Sequence, residues 1–231
     1  MKNMLVAAVA LAAGLSAPAN AQDQSADAEE IVTMEPMRSA EGASVVSLAD
    51  PEIRVRVPEN ATYVGAVRWP LYGVADAEIH AFVEADEHGL VQRAYLVQFE
   101  QYLPDNDYAY NYAESNPETV ELNGHTLHVR PGFMRAVNPN SRADSDGAQF
   151  RRLVTDAGYR LPTYMATVRF VELFEPTLRK ELLILYVENM DPVLTQMGGA
   201  MMEGREGVTF AELMPPLIGR AMEAVSLEPI D

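Results

Sequence analysis

The clearest hydrophobic pattern of the chain is an unbroken apolar run from Leu182 to Val187, within residues 179–190. A strand with one wet face alternates apolar and polar residues, because successive side chains point to opposite faces. This run is apolar on both faces, which is typical of a strand that is buried on both faces. We therefore predict a strand over residues 181–189, in the middle of a sheet that is covered on each side.

Alternating and β-branched patterns predict the other strands of one antiparallel sheet. The pair Asn123-Gly124 predicts a two-residue hairpin turn, since both central residues of that turn take positive φ. Pro70 is expected to place its strand at an edge, and Pro131-Gly132 to lead the chain out of the sheet. The predicted strands cover residues 53–57, 62–72, 77–85, 90–102, 118–122, 125–130 and 165–174.

Two helices are predicted to pack against this sheet. The first covers residues 146–157, with Ser145 as its N-cap. The second covers residues 215–226, because proline fits best in a first turn, and a capping box of Thr209 and Glu212 precedes it. Strands followed by segregated helices indicate the α+β class, here a meandering antiparallel, curved sheet of about seven to eight strands with both main helices on one face.

The N-terminal residues differ in composition from the rest of the chain. Residues 1–21 carry Lys2, an apolar run and small residues before an expected cleavage after Ala21, a pattern typical of a secretory signal peptide. Residues 22–44 are acidic and poor in apolar side chains, so a disordered tether is predicted there. Residues 45–231 are predicted to form a single α+β domain. The expected location is therefore periplasmic or secreted.

Composition excludes several classes of function. The chain of 231 residues has no cysteine and a formal net charge of −17. Without cysteine it forms no disulfide, thiolate metal site or thiol nucleophile. The acidic charge argues against nucleic acid binding, which needs cations at the phosphates. No segment beyond the signal is long enough to span a bilayer, so we expect a soluble protein without stable membrane insertion. No cofactor is indicated, and the partner, a small molecule or a protein, stays open.

Catalytic motifs are sparse in this sequence. The G-x-S-x-G pattern of a nucleophilic serine does not occur. Glu172 and Glu188 interrupt otherwise apolar strands. A carboxyl group that faces the interior at such a position would have the raised pKa that a general acid needs. These two residues are therefore the candidates for carboxylate acid/base chemistry in a hydrolase.

The segment that follows the strand predicted at residues 90–102 is rich in tyrosine. Exposed tyrosines supply contact area at low entropic cost, so the segment is a candidate ligand-binding surface. The alternative is that alternate tyrosines pack back onto the sheet edge as an extended strand. The candidate ligand-binding residues are Tyr102, Tyr108, Tyr110, Tyr112, Asp105 and Asp107.

A glycine-rich segment near the C-terminus, residues 191–208, is expected to form a mobile loop. It contains Met197, Met201 and Met202. Thioether sulfur is a ligand for Cu(I), so these residues are candidates for a copper site. Methionine also fills irregular cores, which is the alternative role for them.

These patterns favour an exported, non-catalytic protein that binds a ligand or another protein, because the catalytic signatures are missing. Two alternatives stay open, a hydrolase that uses Glu172 and Glu188, and a Cu(I) carrier that uses the methionines. A buried carboxylate in a pocket favours an enzyme, whereas tyrosines as the main exposed aromatic feature favour binding.

Overall fold

The computed structural model describes residues 31–136, 141–174, 176–202 and 209–230, without the side chains of residues 199–202, 210 and 211. The predicted signal peptide and residues 22–30 of the predicted tether lie outside this part. The strands are β1 (Ser39–Ala40), β2 (Ser44–Ser47), β3 (Ile53–Arg56), β4 (Thr62–Leu71), β5 (Ala75–Ala85), β6 (Val91–Tyr102), β7 (Thr119–Leu122), β8 (His125–Arg135), β9 (Tyr164–Phe174), β10 (Lys180–Asn189) and β11 (Ser226–Glu228). The helices are α1 (Tyr112–Ser115), α2 (Asp146–Asp156), α3 (Asp191–Met202) and α4 (Phe210–Ala224).

Seven strands form one open antiparallel sheet in the order β4-β5-β6-β10-β9-β8-β7. Consecutive strands pair as hairpins in each half, and the two halves join where β6 pairs with β10. Strand β10 is the middle strand, and Leu182, Ile184, Tyr186 and Val187 are almost fully buried in it. The predicted α+β class and the central strand are confirmed, and Pro70 lies in the edge strand β4 as predicted.

The two faces of the seven-stranded sheet carry different cores, and we call them the α2 face and the α4 face after the helix that covers each. On the α2 face, Phe150 and Val154 of α2 pack with Trp69 and Ile79 of β4 and β5. On the α4 face, Leu217 of α4 packs into a core with β6, β9 and β10. The helices cover opposite faces, so the expectation of both helices on one face is wrong.

A second, smaller antiparallel sheet packs on the α4 face, in the order β1-β2-β3-β11. Val45, Val55 and Leu227 of this sheet are buried in the same core as Val97 of β6. The sequence predicted the strand β3 with its one wet face but placed it in the main sheet. The correction is that two sheets share one hydrophobic core.

The described part of the predicted tether, residues 31–44, is bound to the body of the protein. It contains strand β1, and the backbone N–H groups of Met37 and Arg38 donate to the Glu78 carboxylate at 2.8 and 2.9 Å. The prediction of disorder is therefore wrong for these residues. The few apolar side chains of residues 31–44 did not indicate an ordered structure. The order comes from the buried Glu78 carboxylate of β5, which binds the backbone of these residues.

The two main helices start at capping residues that are visible in the sequence. Helix α2 has the predicted N-cap, Ser145. Helix α4 begins near Thr209 rather than at residue 215, because the Thr209 N–H donates to the Glu212 carboxylate at 2.7 Å and opens the helix there. The helix continues through Pro215 and Pro216, so the predicted start at these prolines is wrong.

Residues 191–202 form helix α3 where a mobile loop was expected. Asp191 sits in its first turn, and the Asp191 carboxylate accepts hydrogen bonds from the backbone N–H groups of Thr163 and Tyr164 at 2.9 and 3.0 Å. The loop prediction is therefore wrong for this part. Residues 203–208 lie outside the described residues.

Strand β8 continues beyond the proline-glycine pair at which the chain was expected to leave the sheet. Pro131 is paired with Val168 of β9, and the strand ends at Arg135. The other neighbour, β7, pairs only with the first residues of β8. Beyond Val129, whose N–H donates to the Glu118 carbonyl oxygen, β8 has no second partner strand among the described residues, so a proline without an N–H donor costs no ladder hydrogen bond there.

Candidate functional site

Two glutamates on neighbouring central strands form the centre of the candidate site. Glu100 of β6 lies directly opposite Glu181 of β10, so both side chains project from the α2 face. Asp146 in the first turn of α2 and Arg169 of β9 both interact electrostatically with this pair. We call Glu100, Asp146, Arg169 and Glu181 the carboxylate cluster.

Hydrogen bonds satisfy Glu100 but not Glu181. The Glu100 carboxylate accepts one bond from the Tyr110 hydroxyl at 2.5 Å and one from the Gln98 amide at 2.9 Å. Glu181 Oε1 accepts a longer bond from Arg169 Nη2, at 3.3 Å. Because Glu181 is only 2 % exposed, bulk water does not complete its shell.

Four buried polar atoms in and beside the cluster have no hydrogen-bond partner among the described residues. Three are acceptors: Glu181 Oε2, Asp146 Oδ1 and the Oε1 of Gln149, which follows Asp146 by about one turn of α2. The fourth is a donor, Arg169 Nε. Buried polar groups of native proteins are nearly always paired, and each unpaired one costs about 1–3 kcal/mol. The described residues alone thus do not supply hydrogen-bond partners for all the buried polar atoms of this cluster.

A tyrosine-rich connection, residues 103–118, covers the cluster, and we call it the tyrosine segment. Strand β6 ends beside β10, whereas β7 begins at the far edge of the sheet, so the connection has to cross β10, β9 and β8. Arg179 ties it to the turn before β10 by donating to the carbonyl oxygens of Leu103 and Tyr108 at 2.7 and 2.6 Å.

Aromatic rings form a row across the α2 face. Tyr102 stacks on Tyr110 with ring centroids 4.4 Å apart, and Tyr110 stacks on Tyr112 at 6.1 Å. Tyr112 then meets His128 of β8 at 5.6 Å. Arg169 Nη2 donates to the Tyr112 hydroxyl at 2.6 Å, and its guanidinium lies 5.2 Å from the Tyr112 ring centroid. The row therefore places aromatic faces directly against the charged cluster.

The carboxyl groups of the cluster have pKa values above the ordinary ones. Burial raises the pKa of Glu100 and of Asp146. The pKa of Glu181 is raised to about 7, mainly by burial and secondly by the charge of Glu100. The positive charge of Arg169 lowers the pKa of Glu181 but offsets only part of this rise. Removal of water penalises the charged form of each group, and two adjacent carboxylates penalise each other. Strongly shifted carboxyl groups of this kind are enriched at functional sites.

Three of the six predicted ligand-binding residues lie at the cluster, namely Tyr102, Tyr110 and Tyr112. Their half-buried rings pack back onto the sheet, as the alternative to ligand binding predicted, but they lie across its face and not in an extended strand along its edge. The Tyr108 ring meets the edge of the Tyr102 ring at 5.7 Å. The other three predicted residues, which are exposed, are Tyr108, Asp105 and Asp107.

The predicted catalytic glutamates project from the α4 face, away from the cluster. Both oxygens of Glu172 lie 3.0 Å from Nδ1 of His125. Burial of Glu188 acts to raise its pKa, but hydrogen bonds from Arg220 and Tyr186 outweigh it and hold that pKa below its ordinary value. The expected raised pKa is therefore wrong for Glu188. An ionised, ion-paired carboxylate does not serve as a general acid at neutral pH.

The predicted copper ligands all lie in helix α3. Met197 has a described side chain, whereas the side chains of Met201 and Met202 lie outside the described part. The Cu(I) site stays a prediction. Among the residues that the structure describes, no group of three or more His, Asp or Glu side chains is arranged to hold a metal ion.

A cavity of about 230 Å³ lies between the small sheet and the ends of β5, β6 and β10. Glu100 and Glu181 of the carboxylate cluster are among the residues that line it. The ion pairs that line it are Arg38–Glu78, Arg68–Asp76 and Lys180–Asp50.

The carboxylate cluster was missed in the sequence for identifiable reasons. Glu100 and Glu181 stand at strand ends, where a charged residue usually reaches solvent, and Asp146 is explained by its place in a first turn. The available signal was Arg169, a cation inside the apolar strand β9. A cation that is at least half-buried favours an acidic partner, and acidic residues on neighbouring strands were the candidates.

No helix among the described residues is long and apolar enough to cross a membrane. Comparisons with protein families, with curated proteins and with solved structures found no match. Functional inference therefore rests on the geometry of the cluster.

Proposed function

We propose that this protein is a small-molecule-binding protein and that the carboxylate cluster, beneath the tyrosine segment, is its binding site. One observation carries the proposal: Glu181, Asp146 and Arg169 of the cluster each hold a buried polar atom without a hydrogen-bond partner among the described residues, and so does Gln149, about one turn further along α2. A folded chain that leaves polar groups unpaired loses stability. A ligand that supplies the missing partners removes this cost, and natural proteins accept such losses mainly at functional sites.

We also propose that the protein is exported. The pattern of residues 1–21, with Lys2, an apolar run and small residues before Ala21, supports this proposal. The absence of cysteine is compatible with an oxidising compartment, where free thiols are easily lost. A mass spectrum of the protein secreted by a bacterial host tests it, because cleavage after Ala21 predicts an N-terminus at Gln22.

A second candidate function, an enzyme that uses acid/base chemistry, is supported by the pairing of Glu100 with Glu181. Two adjacent carboxyl groups with raised pKa values can provide an acid and a base at the same place. In this hypothesis the catalytic carboxyl groups are those of Glu100 and Glu181, in place of the predicted Glu172 and Glu188. Binding is preferred because the sequence carries no catalytic signature such as the G-x-S-x-G pattern.

A thermal-shift experiment at pH 7.5 tests the binding proposal. The probes are four classes of small molecule: alkyl amines, carboxylic acids, monosaccharides and divalent cations, each at millimolar concentration. We compare wild type with Glu181→Gln, and with Glu172→Gln as a matched control on the opposite face. A ligand at about a hundred times its Kd stabilises by about 2.7 kcal/mol, which raises the Tm by about 5–10 °C.

The proposal predicts that at least one class stabilises wild type and Glu172→Gln but not Glu181→Gln. Equal shifts in all three proteins, or no shift with any class, would overturn it. If a stabilising probe is chemically converted during incubation, as followed by NMR, the enzyme hypothesis replaces simple binding.

A further inference from the structure

A buried histidine of β5 connects a buried carboxylate to an exposed phenol on the α4 face. His80 and Glu78 stand two residues apart on this strand, so both project from that face, and each is 1 % exposed. His80 Nε2 lies 2.8 Å from Glu78 Oε1, and His80 Nδ1 lies 3.2 Å from the hydroxyl oxygen of Tyr63 on β4. We call these three residues the Tyr63 triad.

The partners of Glu78 decide which nitrogen of the histidine carries the proton. The Glu78 carboxylate accepts hydrogen bonds from the backbone N–H groups of Met37 and Arg38 and from the Arg38 guanidinium. Burial acts to raise the pKa of Glu78, but the hydrogen bonds from His80 and these donors lower it to about 2, so the carboxylate only accepts. His80 Nε2 therefore donates to Glu78. In the neutral imidazole Nδ1 then has a lone pair, which accepts the Tyr63 O–H.

This arrangement activates a hydroxyl group as a nucleophile. A histidine that takes the hydroxyl proton acts as general base, and a carboxylate at its other nitrogen orients the ring and stabilises the imidazolium that forms. Burial, and next the charge of Glu78, raise the pKa of the Tyr63 phenol. An unassisted Tyr63 is therefore neutral and weakly nucleophilic at pH 7. A base that removes the proton during the reaction overcomes this obstacle.

Tyr63 lies partly in solvent, although its hydrogen-bond partner is buried. The residue is 37 % exposed and belongs to β4, an edge strand of the main sheet. The Tyr63 ring packs against Phe82 with ring centroids 5.1 Å apart, which holds the hydroxyl at His80 Nδ1. A small reagent therefore approaches the phenol from the solvent side, while the base and the carboxylate stay in the core.

We propose that Tyr63 is a base-activated nucleophile, a modification site at which the protein accepts an acyl group from activated esters. The Tyr63 oxygen attacks the carbonyl carbon of the ester, and the phenolic proton moves to His80 Nδ1. A bond forms between these two atoms, and the bond from the carbonyl carbon to the leaving oxygen breaks. The leaving group takes the electron pair of that bond, and His80 passes the proton on to it. The Tyr63 triad lies on the α4 face, so this inference is independent of the carboxylate cluster.

Tyr164 is a matched control within the same chain. It is 39 % exposed, close to the value for Tyr63. Its hydroxyl accepts a hydrogen bond from Arg135 Nη2 at 3.3 Å, and among the described residues it has no bond to a histidine. The two phenols therefore differ in the base and not in their exposure to a reagent.

Acetylation by p-nitrophenyl acetate at pH 7.5 tests the proposal. Peptide mass spectrometry follows the gain of an acetyl group at each tyrosine with time, and absorbance follows the release of p-nitrophenolate. We expect Tyr63 to be acetylated about a hundredfold faster than Tyr164, since a positioned general base contributes about 10²–10⁴ in rate. In Tyr63→Phe the fast release of p-nitrophenolate should be lost.

The variant His80→Gln tests the base. Glutamine keeps an N–H donor for Glu78 but has no basic nitrogen, so the rate at Tyr63 should fall about a hundredfold and the rate at Tyr164 should not change. The control His88→Gln makes the same substitution at a histidine whose side chain is 74 % exposed, and it should leave both rates unchanged. Circular dichroism shows whether each variant is folded.

Two results would overturn the inference. The first is a wild-type rate at Tyr63 that is no faster than the rate at Tyr164, which shows that His80 does not activate the phenol. The second is a folded His80→Gln variant that is acetylated at Tyr63 as fast as wild type. If His80→Gln does not fold, the comparison of the two tyrosines in the wild-type protein decides alone, because it needs no substitution.

Discussion

Two buried glutamates, Glu78 and Glu181, show at the scale of single residues that partners decide protonation. Burial alone would raise the pKa of Glu78, but hydrogen bonds from His80 and from the backbone N–H groups of Met37 and Arg38 lower it to about 2. For Glu181, the charge of Arg169 and a hydrogen bond with Tyr112 oppose burial only in part, so burial prevails. Similar burial thus gives an ionised anchor in one place and a reservoir of protons in the other.

Glu181→Gln is expected to remove a pH dependence of stability. The pKa of Glu181 is about 7 in the folded protein and 4.5 ordinarily. Between these values the folded state binds more protons than the unfolded state, so wild type loses stability as the pH rises from 4.5 to about 7. Glutamine cannot ionise. At pH 8 the variant is therefore more stable relative to wild type than at pH 4.5, by about 3 kcal/mol, since one pKa unit corresponds to about 1.4 kcal/mol.

Urea denaturation of both proteins at pH 4.5 and pH 8 measures this difference. Glu172→Gln is the control, because it makes the same chemical change on the opposite face and should lose stability with pH as wild type does. A difference between Glu181→Gln and wild type that is equal at the two pH values would show that Glu181 does not titrate in this window.

At the scale of elements, the order of the strands explains why the tyrosines meet the carboxylates. The sheet is completed by inserting β10 between β6 and β9, after the chain has already gone out to the far edge. The connection at residues 103–118 therefore crosses three strands of the α2 face. Helix α2 covers only the β4 and β5 part of that face, so the connection covers the rest. Tyr110 and Tyr112 reach Glu100 and Arg169 as a consequence.

The central position of β10 predicts a severe effect of Ile184→Asp. Ile184 is fully buried, with β6 on one side and β9 on the other. An aspartate there buries an unpaired charge, and we expect loss of at least about 4 kcal/mol and an unfolded protein at 37 °C. Ile184→Val, the matched control, should cost only about 0.5–1.5 kcal/mol. Circular dichroism during thermal melting measures both. An Ile184→Asp variant that melts like Ile184→Val would contradict the buried central strand.

At the scale of the whole molecule, Glu78 fastens the start of the described chain to the main sheet. Its carboxylate accepts the backbone N–H groups that lead into β1, and Arg38 both pairs with it and lies 3.9 Å from the Phe99 ring centroid. The small sheet is therefore held to the large one by polar contacts at one end and by the shared apolar core elsewhere.

Glu78→Gln should weaken this attachment. The amide places an N–H₂ group against the backbone N–H donors of Met37 and Arg38, so we expect a loss of about 3 kcal/mol at pH 7, typical of breaking a buried ion pair. Because the pKa of Glu78 is lowered to about 2, its contribution is present above pH 4.5 and lost as the pH falls through 2. The variant and wild type should therefore converge in acid.

The matched control for this prediction is Asp76→Asn. Asp76 lies on β5, as Glu78 does, and its ion pair with Arg68 of β4 is more exposed than the pair of Glu78 with Arg38. A surface pair contributes no more than about 1 kcal/mol. Guanidinium chloride denaturation between pH 2 and pH 7 gives both values. Equal losses in the two variants would show that Glu78 is no special anchor.

The sequence predicted the individual strands and helices better than it predicted how they are arranged in space. The central strand, the edge position of Pro70, the hairpin at Asn123 and the capped start of α2 followed from local patterns, and the structure agrees with each. Helix α3, the early start of α4 and the length of β8 did not follow. The usual effect of glycine and proline was outweighed by a tertiary contact of Asp191 at α3, by the local capping box of Thr209 and Glu212 at α4, and by the lack of a second neighbour strand at the described end of β8.

Local periodicity by itself determined that this protein is an α+β domain built around a strand buried on both faces, since side-chain alternation is a property of neighbouring residues. It also singled out Tyr102, Tyr110 and Tyr112, though not their neighbours in space. Only the tertiary structure decided that Glu100 and Glu181 stand side by side and that Asp146 and Arg169 interact with them. Strand register and the crossing of the tyrosine segment set those contacts, and burial then changed the chemistry of ordinary carboxylates.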